Sequence, residues 1–482
     1  MNAGEYAPKG PYVLLPIETK AREFLAKILL GCVAAENGFH VVLGDQNEIH
    51  RYLGYLPRGI YIDKSIVRTK IRSFQKNRRI GNRVVAWCEE GLSFRVPETY
   101  LKERISRTAF SLTDRFYAWG PYHQGLLRQK LQEGPEKIVS AGNPRFDLLL
   151  SPYRRVFEPE VEALKGRFGA FILVNTNFSR YNHYYGRDFV IRNLKEAGRV
   201  EDEAHEWFLE QWADYLGEMY RHFGEMVGKI SKAFPGFTVI VRPHPSESQE
   251  SWKEKTRSLP NVRVIHEGNV IPWIMASEVM IQNSCTTGVE AFIMEEPVIA
   301  YRPIVSKTYD SYLPNAICPT ASSPDALISM IDAFVRKKAP DGGLLHRDEA
   351  SQDLVRQYIS GLNGTTACEH VVRGLLRVLE GHPELREQER QTGLSGLVTR
   401  AAARAVALKR SMVHLVRGSR GLRAYMRQKF PGLELAEAQQ AVSIFQRATS
   451  GFEDIRVFAF PGTSSCFLVT RTDSRDRSRP WT

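Results

Sequence analysis

The 482-residue sequence has few cysteines and no long apolar run, and both absences restrict its class. Its six cysteines are scattered and none forms a C-x-x-C pair, so we expect reduced thiols in a cytosolic protein. The first residues lack the basic start and apolar run of a signal peptide, and none is predicted. No uncharged apolar stretch approaches the ~20 residues that a membrane-spanning helix needs.

Acidic residues are absent from one long stretch, between Glu389 and Glu434, and the chain carries a net charge of +12. Ten lysines and arginines lie there among apolar residues, which is typical of a segment that lies on an anionic membrane. A basic helix packed on the body of the protein would explain the same pattern. Nucleic acid is not predicted as a partner, because no aromatic interleaving or reader motif accompanies the charge. The sequence therefore predicts a basic amphipathic tail at residues 386–482, with a membrane-contacting part at residues 390–430, in a cytoplasmic, peripheral membrane protein.

Strand and helix patterns alternate through residues 11–150 and again from Ala170 onward. This alternation predicts an α/β fold built from parallel βαβ units, and the length predicts two Rossmann-like domains. The predicted parts are an N-terminal Rossmann-like domain at 1–165, a C-terminal Rossmann-like domain at 166–340 and closing helices at 341–385. Asn315–Cys318 is predicted as the last strand of the second domain, and the strand-like residues 452–470 are not placed.

A proline-rich turn follows the apolar strand Phe237–Val241 and ends it abruptly at Arg242-Pro-His-Pro245. Each proline lacks an N–H and keeps the residue before it out of the helical region, so His244 is held extended. Ligands of open α/β sheets bind at the carboxyl ends of the strands, where His244 is predicted to lie. A turn without a ligand is the alternative explanation for a lone histidine.

Hydroxyl side chains gather after a later predicted strand of this domain, Val279–Gln282, at Ser284, Thr286 and Thr287. The free N–H groups and the dipole of a helix that starts here would attract an anion. Thr287 and Glu290 also have the spacing of a capping box, so a helix cap alone would explain the pattern. The proximity of His244, one βα unit away, favours a phosphate site.

Three further segments lie at predicted strand ends. Glu89 and Glu90, followed by a glycine, come after the strand Arg83–Cys88, and Asn175 ends the first strand of the second domain. A carboxylate there could act as a general base, although negative charge at a helix start would be stabilising in itself. The turn Gly142–Asp147 contains Arg145, which either binds a ligand or belongs to a purely structural turn.

These motifs resemble a family of bacterial glycosyltransferases. Arg242-Pro-His-Pro245 resembles the His-Pro motif of bacterial sialyltransferases, polysialyltransferases and Kdo transferases. Ser284-x-Thr286-Thr287 is similar to their Ser/Thr motif, and Glu89-Glu90-Gly91 is similar to their acidic-acidic-glycine motif. The resemblance covers about residues 10–380. It implies a GT-B-like arrangement, in which two Rossmann-like domains face a cleft, in a bacterial surface carbohydrate biosynthesis protein of the capsule or lipopolysaccharide type.

The resemblance also implies the chemistry. The donor would be a CMP-activated acidic sugar of the sialic, nonulosonic or Kdo type, the acceptor a surface polysaccharide or glycolipid, and no separate cofactor is expected. Glu89 would be the acceptor base, with Glu90 as the alternative, and His244 would act at the cytidylate phosphate. The candidate nucleotide-binding residues are Arg242, His244, Pro245, Ser284, Thr286, Thr287, Glu290 and Asn175. No D-x-D triplet occurs, so a chelated metal is not predicted.

Two other functions stay open at this point. Gly142-Asn-Pro-Arg-x-Asp147 is similar to a segment of CDP-glycerol glycerophosphotransferases, which also carry an R-P-H-P-like motif and a Ser/Thr turn. Transfer of a polyol phosphate from a CDP-activated donor is therefore the main alternative. A non-catalytic, membrane-associated assembly factor is the third, and the intact residues at all three motifs count against it.

Overall fold

The computed structural model describes residues 8–388, except 93, 95, 197, 199, 201 and 337–347, and residues 432–472. The described residues form two compact units. The first unit takes its residues from 1–91, 104–156 and 358–482, and the second from 92–103 and 157–357. The segment 390–430, with its predicted membrane contact, lies outside the described residues.

The first part of the chain alternates strands and helices as predicted. Its strands are β1 (Tyr12–Ile17), β2 (His40–Asp45), β3 (Gly59–Asp63), β4 (Arg83–Trp87), β5 (Arg115–Ala118) and β6 (Ile138–Ser140). Its helices are α1 (Lys20–Glu36), α2 (Gln46–Tyr52), α3 (Ile71–Arg79), α4 (Pro97–Arg104), α5 (Arg107–Ser111), α6 (Pro121–Lys130) and α7 (Pro144–Asp147). All residues of β1 are buried, as expected for an apolar strand inside a parallel sheet with both faces covered.

The second unit repeats the alternation. Its strands are β7 (Phe171–Asn175), β8 (Thr238–Arg242), β9 (Val262–Val264), β10 (Val279–Gln282), β11 (Val298–Tyr301) and β12 (Thr320–Ala321). The helices are α8 (Glu158–Phe168), α9 (Phe189–Glu196), α10 (Glu203–Ala233), α11 (Gln249–Thr256), α12 (Val270–Ala276), α13 (Thr286–Met294), α14 (Tyr312–Ala316), α15 (Pro324–Val335) and α16 (Glu349–Tyr358). The 31-residue helix α10 buries one apolar face against the sheet, including Met219, Phe223, Val227 and Ile230.

The remaining elements return to the first unit: α17 (Ala367–Glu380), α18 (Leu435–Thr449), β13 (Ile455–Ala459) and β14 (Cys466–Arg471). Strands β13 and β14 pair with each other, and β14 pairs antiparallel with β2. The carboxylate of Glu48 accepts hydrogen bonds from the backbone N–H groups of Ser464, at 2.8 Å, and Ser465, at 2.6 Å. The strand-like segment that the sequence pattern leaves unplaced therefore extends the first sheet.

Both sheets are doubly wound. In the described residues the first sheet runs β13-β14-β2-β1-β3-β4-β5-β6 and the second runs β12-β11-β10-β7-β8-β9. The second has the strand order of the Rossmann fold, and the parallel part of the first has the flavodoxin-like order. The α/β class with two parallel sheets, predicted from the sequence, is confirmed.

One predicted strand is wrong. Asn315–Cys318 does not form a strand, because Asn315 belongs to helix α14 and its side chain is hydrogen-bonded to Ser284. The edge strand is the short β12, which pairs in parallel with β11. Among the described residues, no helix is both long enough and apolar enough to cross a membrane.

Candidate functional site

The carboxyl edge of the second sheet brings the predicted nucleotide-binding segments together. Strand β7 lies between β8 and β10, so the chain leaves three adjacent strands at Asn175, Arg242 and Gln282. The strand order reverses between β7 and β10, and crevices for ligands form at such switch points. The Pro-His-Pro turn and the Ser/Thr turn thus lie at one edge of one sheet.

A buried carboxylate, Glu247, holds the turn that carries His244. Its Oε1 accepts from the hydroxyl of Thr176 at 2.8 Å and from the N–H groups of Phe178 at 2.9 Å and His244 at 3.1 Å. Its Oε2 accepts from the indole N–H of Trp252 at 3.0 Å. The turn after β8 is therefore fastened to the loop after β7.

Sequence reasoning missed the role of Glu247, although it lies three residues after His244. Burial raises the pKa of its carboxyl, against the opposing effect of its hydrogen bonds. The sequence does offer one signal for this role, which is the position of a glutamate next to a turn whose prolines lack N–H groups. Two of its partners, Thr176 and Phe178, lie on a distant loop, so only the fold reveals them.

His244 itself is exposed, and so is Pro245. The N–H of Ser246 donates to Nδ1 of His244 at 3.2 Å, which places the proton of the neutral ring on Nε2. An Nε2–H group on an exposed, fastened turn can donate to an anionic ligand. Pro245 has no N–H to donate, and its role is to fix the backbone of the turn.

Arg242 is a buried cation at the end of β8. Its Nη2 donates to the carbonyl oxygens of Glu267 at 3.0 Å and Gly268 at 2.8 Å. Burial lowers its pKa to about 10, while the charge of Glu290 acts in the opposite direction. Arg242 therefore anchors the loop after β9 and adds positive charge near the start of α13.

The Ser/Thr turn is built differently from the prediction. Ser284 adopts a left-handed backbone with φ of 49°, and Cys285 is the N-cap of α13. The hydroxyl of Ser284 accepts from the side-chain amide of Asn315 at 2.9 Å and from the N–H of Ser311 at 3.2 Å. Ser284 is buried and fixes this turn from within.

Thr287 and Glu290 do not form the capping box that their spacing allows, because α13 begins at Thr286 and no side chain caps it. Thr287 lies in the first turn of this nine-residue helix. Its hydroxyl oxygen is shielded from solvent and has no hydrogen-bond partner within the part of the chain that the structure describes. A buried hydroxyl without a partner costs about 1–3 kcal/mol, which a ligand at this helix terminus could recover.

The other predicted nucleotide-binding residues take supporting places. Thr286 is half-buried at the first position of α13, where helical N–H groups have no acceptor within the helix. Glu290 is buried one turn further on, within electrostatic range of Arg242. Asn175 is buried and directs its side-chain amide to the sulfur of Met280 at 3.0 Å, in the sheet interior.

In the first unit, Glu89 follows β4 in a turn and is almost buried. Its Oε1 accepts from the indole N–H of Trp87 at 2.7 Å, and Oε2 accepts from Nη1 of Arg145 at 3.4 Å. Arg22 lies on the same side, with Nη2 at 4.0 Å from Oε2. A carboxylate has about four lone-pair sites, so capacity for a further donor remains at both oxygens.

Glu90 differs from Glu89 in exposure. Its side chain is 48% exposed and lies 3.6 Å from Nη1 of Arg22. Gly91 is the last residue of the acidic-acidic-glycine motif. A Cβ at this position would lie 2.4 Å from Cε1 of His123 and 2.7 Å from Cδ1 of Trp119. The third position of the acidic-acidic-glycine motif thus needs glycine for close packing.

The turn Gly142–Asp147 reaches both the acidic turn and a helix start. Asn143 caps α7 by accepting from the N–H of Arg145 at 3.0 Å. Asp147 accepts from the N–H groups of Ala367 at 2.9 Å and Cys368 at 2.7 Å, at the start of α17. The sequence left the role of Arg145 open, and the structure places its guanidinium against Glu89.

Within the described ranges, no group of three or more His, Cys, Asp or Glu side chains could hold a metal ion. The first-turn N–H groups of α13, Thr287, His244 and Arg242 lie at the edge of the second sheet. Of the predicted site residues, the second sheet gathers those after β7, β8 and β10. Glu89 and Glu90 belong to the first unit.

No protein-family model matches the sequence, and no curated protein matches it. Solved structures show a distant likeness. The wall teichoic acid polymerase TagF has a TM-score of 0.46 at 11% identity, covering 77% of this chain and 89% of its own. UDP-GlcNAc 2-epimerase from Neisseria meningitidis has 0.45 at 14%, covering 76% and 99%. HepE from Anabaena, in complex with UDP, has 0.38 at 9%, covering 78% and 100%. At such low identities and TM-scores, these likenesses assign neither a function nor a substrate to this chain.

Proposed function

We propose that the protein is a GT-B-type glycosyltransferase that moves an acidic sugar from a CMP-activated donor to a surface polysaccharide or glycolipid acceptor. The observation that carries the proposal is the start of α13, where the buried hydroxyl of Thr287 has no partner among the described residues. The exposed His244 and the buried cation of Arg242 lie at the same sheet edge. Hydroxyl, imidazole N–H, guanidinium and helix N-terminus are the groups that bind phosphate.

The proposed reaction joins the acceptor oxygen to the anomeric carbon of the donor sugar. The bond between that carbon and the phosphate oxygen breaks, and CMP leaves with the electron pair. The phosphate charge is met by the first N–H groups of α13, by Thr286 and Thr287, and by Nε2–H of His244. The acceptor proton goes to a carboxylate, for which Glu89 is the first candidate and the exposed Glu90 the second.

The first experiment is a thermal-shift series with CMP, CDP, UDP and GDP on the full chain. A ligand that binds only the folded protein raises its stability by mass action, by about 2.7 kcal/mol at a hundredfold excess over Kd. We expect a cytidine nucleotide to give the largest increase in melting temperature. A larger increase with UDP or GDP would remove the cytidine donor from the proposal.

A second experiment identifies the transferred group. Candidate CMP-activated acidic sugars are incubated with the protein and acceptor glycans, and CMP release is followed by chromatography. The Glu89→Gln variant serves as the matched control, because it keeps the shape of the side chain. Release that is equal in the variant and the wild type would be hydrolysis unconnected with this site.

A polyol-phosphate transferase is the second candidate, and one contact favours it. The Gly142–Asp147 segment, which resembles that of CDP-glycerol glycerophosphotransferases, contacts the acidic turn through Arg145. This function predicts stabilisation by CDP well above that by CMP, and transfer of a phosphate-containing group. An acceptor product that gains no phosphorus would reject it.

We further propose that residues 390–430 bind an anionic membrane surface, which would make the protein peripheral on the cytoplasmic face. The support is the run of ten basic residues without an acidic one. An internal deletion of this stretch should abolish sedimentation with anionic liposomes and keep nucleotide binding. Equal sedimentation of the deletion variant and the full chain would refute this proposal.

A further inference from the structure

The Gly142–Asp147 turn supplies a contact that the proposed reaction does not yet use. Nη1 of Arg145 lies 3.4 Å from Oε2 of Glu89, and both side chains are largely withdrawn from solvent, with 16% and 7% of their area exposed. Trp87 holds the other oxygen, Oε1, at 2.7 Å. The carboxylate of Glu89 is therefore hydrogen-bonded to residues of two elements, Trp87 at the end of β4 and Arg145 at the start of α7.

Arg145 is itself fixed. Asn143 accepts from its backbone N–H, and Asp147, two residues later, is buried against the start of α17. Burial raises the pKa of Asp147 to about 6. A turn that is capped at one end and fastened to a second helix at the other presents Arg145 from a rigid base.

We propose that Arg145 is a positioning residue, which together with Trp87 holds the carboxylate of Glu89 in the orientation that receives the acceptor proton. This inference rests on the proposed function. Arg145 occupies one site of Oε2, and the remaining lone pairs stay available for the acceptor hydroxyl. Arg22, at 39% exposure, and Lys64, whose charge interacts with that of Glu89, complete the positive surroundings.

A purely structural ion pair would give a different kinetic result. Loss of positioning displaces the base, and a misplacement of about 1 Å can cost on the order of a hundredfold in rate. We expect Arg145→Gln to lower kcat about 10- to 100-fold, with the donor KM and the nucleotide Kd unchanged. Arg145→Lys should restore part of kcat, because it keeps the charge and loses the planar geometry.

A spectroscopic readout works without turnover. Trp87 donates its indole N–H to Glu89, so the ¹⁵N–¹H signal of that indole reports the position of the carboxylate. The chain has seven tryptophans, and Trp87→Phe identifies the signal by its disappearance. We expect Glu89→Gln and Arg145→Gln to move this signal, and the exposed Arg58→Gln to leave it in place.

The outcomes separate the two proposals. If Glu89→Gln keeps full transfer activity, the proposed base is wrong, whatever Arg145 does. If Glu89→Gln is inactive while Arg145→Gln keeps kcat and the Trp87 signal, the positioning role of Arg145 is wrong and the proposed function stands. If Arg145→Gln lowers melting temperature but neither kcat nor the signal changes, the contact is only structural and the inference is overturned.

Discussion

Two buried carboxylates, Glu89 and Glu247, follow strands of different sheets, and each accepts a hydrogen bond from a tryptophan indole. Glu89 has cationic neighbours, Arg145 and Arg22. Among the described residues, the hydrogen-bond donors to Glu247 are neutral, and burial raises the pKa of its carboxyl. Burial and an indole partner therefore do not define a role. Arg145 and Arg22 place positive charge beside Glu89, whereas the neutral donors around Glu247 fasten a turn.

The surroundings of the two turns differ in the same way. The carboxylate of Glu89 in the acidic turn pairs with Arg145 of the same unit. At the start of α13, by contrast, the shielded hydroxyl of Thr287 has no partner among the described residues. A carboxylate that is held by neighbouring donors and keeps lone pairs available is suited to act as a base, and a shielded hydroxyl without a partner is suited to bind a ligand. Substitutions at the two turns should consequently separate turnover from binding.

The largest effect is expected at Glu89. Glu89→Gln keeps shape and removes the proton acceptor, so turnover should fall roughly 10²–10⁴-fold, the usual contribution of a general base. Nucleotide affinity, measured by calorimetry, should hardly change. Glu90→Gln is the companion variant. If Glu90→Gln is inactive and Glu89→Gln is active, the base is one residue further along. If both stay active, the acidic turn holds no base.

The next effect is expected at the edge of the second sheet. Thr287→Val and His244→Ala each remove one donor to the phosphate, and a hydrogen bond to a charged group contributes about 1.5–3 kcal/mol. Nucleotide affinity should fall roughly ten- to a hundredfold for each variant. Thr287→Ser keeps the hydroxyl and should bind almost as the wild type does. Unchanged affinity in Thr287→Val would remove α13 from the nucleotide site.

A smaller effect tests the packing of the acidic turn. Gly91→Ala forces a Cβ against His123 and Trp119, and overpacking typically costs about 1–3 kcal/mol of unfolding free energy. Gly125→Ala in α6 is the control, because a Cβ there meets no atom within 4 Å. That control should be neutral or stabilising by up to about 1 kcal/mol. Equal stability of the two variants, by chemical denaturation, would contradict the tight packing.

The smallest effect is a pH dependence from Glu247. Because its pKa is raised in the folded protein above the ordinary 4.5, the folded state keeps its proton to higher pH than the unfolded chain does. Its contribution to stability is therefore present below pH 4.5 and declines as pH rises through the raised value. Unfolding releases at most one proton from this group, so the free energy of unfolding changes by at most about 1.4 kcal/mol per pH unit.

Calorimetry of wild type and Glu247→Gln across this pH range isolates that contribution from other carboxylates. The melting temperature of the wild type should fall relative to the variant as pH rises. A difference that is constant with pH would show that Glu247 does not titrate in this range.

The sequence predicts those parts of the fold that are set locally. Apolar β-branched runs such as Phe237–Val241 and the prolines around His244 mark a strand and its end without reference to the rest of the chain. The spacing of Thr287 and Glu290 favours a later start for α13 than the observed Thr286, because the left-handed Ser284 and its partner Asn315 lie outside local pattern rules. The same contact with Ser284 explains why Asn315, which the sequence pattern predicts to lie in a strand, belongs to helix α14.

Contacts between distant segments could not be predicted from one sequence. The contact between Arg145 and Glu89 joins residues that are 56 positions apart in the sequence. Two partners of Glu247, Thr176 and Phe178, lie on the loop after β7. No periodicity or spacing encodes such pairs. Strand β14 illustrates the limit most clearly, since nothing near Cys466 indicates pairing with Gly44.

That pairing has a consequence for synthesis on the ribosome. Strand β2 is made early, but its partner β14 emerges only after the whole second unit has been translated. Until then β2 presents an open apolar edge, which is the kind of edge that promotes intermolecular association. Truncation before residue 432 should therefore yield an aggregation-prone product even when every catalytic candidate is retained, whereas excision of 390–430 alone would leave the closing hairpin in the chain.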